Sequence, residues 1–147
     1  MKNSKLIQAA SEFGSPLYVY DANKIKSQYS RLINSFKDIK SLQLNYAVKA
    51  LSNVSILKYI IDLGSGIDAV SIQEVHLALK AGVNPEKIIY TPNGVSLSEI
   101  KIASELGVKI NIDNLSVLED FGNSNPKIPI CISCLLYTSD AADEASS

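Results

Sequence analysis

In "LQLNYAVKALSN", Leu42 to Asn53, an apolar run ends on a lysine, Lys49. An ammonium at a strand end has two uses. It can lay its stem on apolar neighbours and send its charge to water. Held among apolar groups, it can instead lose its proton, and the neutral amine then attacks a carbonyl as a Schiff-base lysine does. A second odd residue is Asp68, a carboxylate inside the apolar strand of "GSGIDAVS". Its plain use would be to accept hydrogen bonds from backbone amides at the start of the following helix. Cys131 and Cys134 form a C-x-x-C pair, which could be a redox pair or half a zinc site. No second Cys or His pair completes it and the single histidine, His76, lies far off mid-helix, as a surface or packing residue, so no metal site is expected.

The elements that must position these residues repeat. Strand candidates are Leu42 to Val48, Gly66 to Ser71, Lys87 to Asn93, Lys109 to Asn114 and Pro129 to Ser133. They recur roughly every 20 to 23 residues, as strand, loop and helix units do. Ahead of them the spacing predicts a short amphipathic helix ending at Gly14, an opening strand "PLYVY", and a helix from Asp21 to about Phe36. Ser71 with Glu74, Ser96 with Glu99 and Ser116 with Glu119 fit the S-x-x-E capping box. Gly64, Gly82 and Gly107 follow apolar-periodic runs, where a left-handed residue ends a helix. Asn93, Gly94 and Asp113 also fall at strand ends, where turn and capping chemistry accounts for them.

Strands separated by helices are parallel, and right-handed crossovers bring their C-terminal ends to one edge. "KALSNVS" after the first such strand has no glycine, so the G-x-G-x-x-G of a dinucleotide-binding fold is missing. The expected fold is therefore an α/β, TIM-type (β/α)8 barrel, present in part, with about five of eight units. Lys49 then lies on the face where such barrels carry chemistry.

The chain has 147 residues, a net charge of −1 and 46% hydrophobic residues, an ordinary globular composition. Without a basic excess, nucleic acid is a poor partner. No apolar run reaches the roughly 18 to 20 residues that cross a bilayer. The N-terminus lacks the apolar core of a signal peptide, so a cytoplasmic location is expected.

"SPLYVYD", "NYAVKALSN", "LGSGIDAVSIQEVHLALKAG", "KIIYTPNGVSLSEI" and "INIDNLSVLE", in this order and spacing, resemble the diaminopimelate decarboxylases, from about Gly14 to Ile132. These belong to the fold-type III, alanine-racemase-like pyridoxal phosphate enzymes. The resemblance implies that Lys49 carries pyridoxal 5'-phosphate and is the catalytic lysine. It also implies that Asp68 lies near the cofactor and balances the cationic nitrogen. The implied activity is decarboxylation of meso-2,6-diaminopimelate to L-lysine and carbon dioxide, by a homodimer that shares its active site. Other fold-type III decarboxylases, acting on arginine, ornithine or carboxynorspermidine, share much of the lysine block. A non-catalytic pyridoxal-phosphate-binding barrel is a further alternative.

From Cys134 the pattern breaks. "CLLYTSDAADE" resembles the translation of a transposase adapter used in sequencing libraries, so residues 134–147 read as a non-native tail behind a barrel portion spanning 1–133. The adapter would also supply the last base of codon 133, and the related enzymes usually have arginine on this strand, so Ser133 reads as a converted arginine. A barrel domain takes about 250 residues. The chain is thus expected to be an inactive front portion, lacking the phosphate site, the pyridine-nitrogen partner and a C-terminal β-domain.

Overall fold

A computed structural model describes residues 3–125 and 127–132. The chain divides into two compact units, Met1–Leu42 and Gln43–Ser147. The first unit holds α1 (Asn3–Phe13) and α2 (Ala22–Ser35). Gly14 ends α1 in a left-handed conformation, φ +85°. Asp21 starts α2 by accepting the amides of Asn23 and Lys24, at 3.0 and 3.2 Å. Between them, "PLYVY" is not a strand. Residues 16–20 pair with no neighbour in a ladder, and Leu17, Tyr18, Val19 and Tyr20 are exposed. Alternating apolar and aromatic residues suit a pleated surface only where another strand supplies hydrogen bonds, and none does so among the described residues.

The second unit alternates strand and helix: β1 (Asn45–Ala47), α3 (Val54–Asp62), β2 (Gly66–Ala69), α4 (Ile72–Lys80), β3 (Ile88–Tyr90), α5 (Leu97–Glu105), β4 (Lys109–Ile112), α6 (Leu115–Ser124) and β5 (Ile130–Ile132). All five strands are parallel and lie in sequence order, β1 to β5. Among the described residues each is shorter than the apolar run that announced it, the flanking residues lying in irregular, bend or 3-10 backbone.

The ends of the helices follow their local chemistry. Gly64, Gly82 and Gly107 take positive φ after α3, α4 and α5. At α4 Ser71 Oγ accepts the Glu74 amide at 3.2 Å as a capping box requires, and Glu74 Oε2 reaches back one residue further, to the Val70 amide at 2.8 Å. Ser96 caps α5 through the Glu99 amide at 3.4 Å. The third box does not form. α6 begins earlier, and Asn114 accepts the Ser116 and Val117 amides at 2.9 and 3.3 Å, so Ser116 lies inside the first turn.

Strand alternation sorts the sheet into two faces. Ile67 and Ala69, Ile88 and Tyr90, and Ile110 and Ile112 are buried and belong to one cluster with Leu57, Val75, Ala78, Ile100, Ala103 and Phe121 from α3 to α6. That is the core. The residues between them, Asp68, Ile89 and Asn111, point to the opposite face and are half-buried.

Candidate active site

The site lies on that opposite face, at the C-terminal ends of the strands. β1 ends at Ala47, and a short 3-10 turn, Val48–Ala50, carries the chain off the sheet. Within the turn Val48 is fully buried and anchors the backbone, while Lys49 is exposed. Ala47 pairs with Asp68, so the carboxylate leaves the sheet one row below the lysine.

Lys49 and Asp68 line a single cleft of about 270 Å³ together with Thr91, Asn93, Asn111 and Asp113. Among the described residues lining it, Lys49 is the only cation, set against two carboxylates. A larger hollow, about 530 Å³, opens at the other end of the sheet beside Lys87, Lys109 and Pro129. Parallel β/α sheets gather reacting groups at the C-terminal edge, so the smaller cleft is the candidate site.

Asp68 does not serve the helix that follows it. Ser71 Oγ takes the Glu74 amide and Glu74 Oε2 the Val70 amide, and the Asp68 carboxylate has no hydrogen bond or ion pair among the described residues. A half-buried carboxylate left open toward a lysine-bearing cleft is suited to a ligand or to a cation at Lys49. Asn93 and Asp113, accounted for in the sequence by turn and capping chemistry, also line the cleft, and Asp113 is not the cap of α6, since Asn114 is. His76 is exposed on α4, away from the cleft residues. Cys131 is an exposed free thiol on β5, whereas Ser133, Cys134 and the rest of 133–147 lie outside the described residues. The described residues contain no cluster of three metal-ligating side chains.

Sequence reasoning missed Asn111. Its Oδ1 is buried without a hydrogen-bond partner. The signal was present in "KINIDN", where a polar residue sits between two isoleucines that face the core and must therefore face away from it.

The sequence profile described as "Pyridoxal-dependent decarboxylase, pyridoxal binding domain" matches residues 22–146. The chain belongs to the pyridoxal-dependent decarboxylase family. Among its relatives in that family, the diaminopimelate decarboxylase of Methanothermobacter thermautotrophicus is 42% identical over 113 residues, covering 76% of this chain and 26% of that protein. The Helicobacter pylori (strain J99) enzyme of the same name is 43% identical over 108 residues, covering 73% and 26%. The chain therefore spans about a quarter of the length of these curated relatives. A crystal structure of the Helicobacter pylori diaminopimelate decarboxylase complexed with L-lysine superposes with a TM-score of 0.74 at 36% identity, over 90% of this chain and 34% of that one. The Vibrio vulnificus lysine/ornithine decarboxylase complexed with putrescine gives 0.78 at 25% identity, over 88% and 35%. With these decarboxylases as neighbours, the five-stranded sheet is the partial barrel expected from the sequence.

The residues of the cleft fit the reactive end of a pyridoxal group. Lys49 could offer an amine to its aldehyde and Asp68 a carboxylate to a positive charge there, and Asn111 presents an acceptor oxygen that has no partner among the described residues. Among the described residues lining the cleft, none besides Lys49 is a cation that could hold a phosphate.

Proposed function

We propose that this chain is the cofactor-binding front part of a diaminopimelate decarboxylase, which removes the D-centre carboxylate of meso-2,6-diaminopimelate to leave L-lysine and carbon dioxide. The observation that carries this reading is Lys49 at the C-terminal end of β1, in one cleft with the unpartnered Asp68, in a chain 42% identical to a diaminopimelate decarboxylase. Pyridoxal 5'-phosphate, when bound, supplies an electron sink for the pair left behind by the departing carboxylate.

Lys49 holds the cofactor through Nζ, and only the neutral amine can do so. Lys49 lines the cleft and is exposed, so its nitrogen would be open to an incoming substrate amine. Once free, Nζ is an amine beside the reacting centre that can carry a proton. Asp68 would place a carboxylate in the same cleft as that nitrogen.

The Vibrio vulnificus neighbour, named as a lysine/ornithine decarboxylase and complexed with putrescine, supports a second reading in which a different basic amino acid is decarboxylated. Either enzyme would act in the cytoplasm, as a homodimer with the site shared between subunits. A barrel that binds the cofactor without turnover is the remaining alternative.

The test uses the full-length gene product. Borohydride should fix pyridoxal phosphate covalently on Lys49, and Lys49→Ala should lose both this attachment and carbon dioxide release from meso-diaminopimelate. Attachment at another lysine would overturn the assignment, and turnover of ornithine or arginine in preference to diaminopimelate would select the second reading.

A further inference from the structure

Four buried side-chain polar atoms among the described residues have no hydrogen-bond partner: Asn45 Oδ1, Tyr90 Oη, Asn111 Oδ1 and Asn125 Nδ2. Three of them lie away from the candidate site. Asn45 is at the opposite, N-terminal end of β1, Tyr90 belongs to the helix-facing core, and Asn125 ends α6. Asn111 alone lines the Lys49 cleft. A buried carbonyl oxygen with nothing to accept is uncommon in folded proteins and calls for a partner.

Its place on the sheet restricts what that partner can be. Asn111 stands opposite Cys131 on β5, and the register of Tyr90 with Ile110 puts Thr91 on its other side. Lys49 follows β1, three strands away from β4. At about 4.8 Å per strand that is roughly 14 Å along the sheet, beyond direct contact between a lysine and an asparagine. The ammonium and the amide therefore address the cleft from two sides, with Asp68 and Thr91 between them. A molecule attached at Lys49 and extending across Asp68 and Thr91 would reach Asn111.

We propose that Asn111 is a ligand-contacting residue of this cleft, its side-chain oxygen accepting a hydrogen bond from an N–H or O–H donor on the molecule held at Lys49. The inference rests on the functional reading above and extends it to a residue on β4. The donor belongs either to the cofactor or to the ammonium-bearing amino acid, and two binding measurements separate these sources.

In the full-length gene product, retention of pyridoxal phosphate is followed by absorbance, and the affinity of the loaded protein for L-lysine by equilibrium titration, for the wild type, Asn111→Leu and Asn111→Asp. Asn111→Leu should weaken one of the two by about tenfold or more, the effect of losing a buried hydrogen bond to a ligand. Asn111→Asp keeps an acceptor oxygen and should stay within about threefold of wild type, since the acceptor is what the ligand uses. Weaker cofactor retention assigns the donor to the cofactor, and weaker L-lysine binding with unchanged retention assigns it to the amino acid. A thermal melt without ligand separates this role from a structural one, which would lower the midpoint in both variants. Asn111→Ala takes the place of the leucine variant if that one does not fold. Unchanged binding in the apolar variant, as a trapped water on Asn111 would give, overturns the proposal, and so do equal losses in both variants. If the wild type retains no pyridoxal phosphate on Lys49, the functional reading fails and this inference with it.

Discussion

The side-chain oxygen of Asn45 occupies the space that a β-carbon on Gly66 would fill. The two residues are partners in the β1–β2 register, and the carbonyl oxygen of Lys87, just ahead of β3, lies 2.7 Å from that β-carbon position. Gly66→Ala should therefore destabilise the protein by about 1 to 3 kcal/mol, as overpacking does. Denaturant midpoints will show this. Adding Asn45→Ala should recover part of the loss, because one of the two obstructions is then gone, and strictly additive effects would mean that the residues do not compete for the space.

The start of α6 gives a second prediction. Asn114 accepts two amides there and Ser116 accepts none. Asn114→Ala should cost about 1 kcal/mol, while Ser116→Ala should be neutral or slightly stabilising in a helical first turn. The opposite order in a chemical melt would restore the S-x-x-E box as the working cap.

Tyr90 supplies a pH-dependent prediction. Its phenol is buried and its pKa is pushed up from 10.0 to about 12, first by desolvation and then by the nearby Glu99 carboxylate. The folded state thus keeps a proton that the unfolded chain gives up. Stability from this residue is fully present below pH 10 and declines as pH rises toward 12, by up to roughly 2 to 3 kcal/mol. Tyr90→Phe should remove that part of the alkaline loss. It also removes a buried hydroxyl without a partner, so the variant should be no less stable than wild type at neutral pH. Parallel melts of the two proteins between pH 8 and pH 12, on the order of the titration range just given, decide it. Parallel alkaline limbs would count against the buried phenol as their cause.

The junction after Ile132 makes a prediction about the gene. The eleven residues from Cys134 to Glu144 resemble translated adapter sequence, and an arginine codon completed by that adapter becomes serine. The family match runs on to residue 146, so this segment lies inside its span and the genomic sequence is what discriminates. An independent read should encode arginine at 133 and a different continuation. A genomic frame that reads through "SCLLYTSDAADE" would make the tail native.

The repeating units were legible in the sequence because several local signals agreed at each boundary. Ser71, Glu74 and Gly82 bracket α4 as the capping box and the left-handed glycine require. Signals that depend on partners were not legible. "PLYVY" has the composition of a strand, but a strand exists only where another backbone pairs with it. Asn114 and Ser116 both suit a cap, and the choice between them is made by where the backbone turns. For the site, Lys49 stood out through its place after an apolar run. Asp68 stood out too, yet its plain reading as a partner for helix amides could be set aside only once Ser71 was found on the Glu74 amide and the Asp68 carboxylate on none. Asn111 carries no motif, and its interest comes from an unpartnered atom in three dimensions.

The order of the strands also bears on how this sheet can form. Asn45 pairs with Gly66, Ile67 with Ile88, Ile89 with Lys109 and Ile110 with Ile130, so each strand finds its partner 20 or 21 residues along the chain. Every closure is of similar length and carries a similar entropic cost. Among the pairings of the described strands none waits for a distant segment to be made, which keeps their contact order low for a parallel sheet. As the chain leaves the ribosome, each strand can be laid against the previous one once its intervening helix has emerged. A destabilised strand should then halt growth at its own position and leave the earlier units paired.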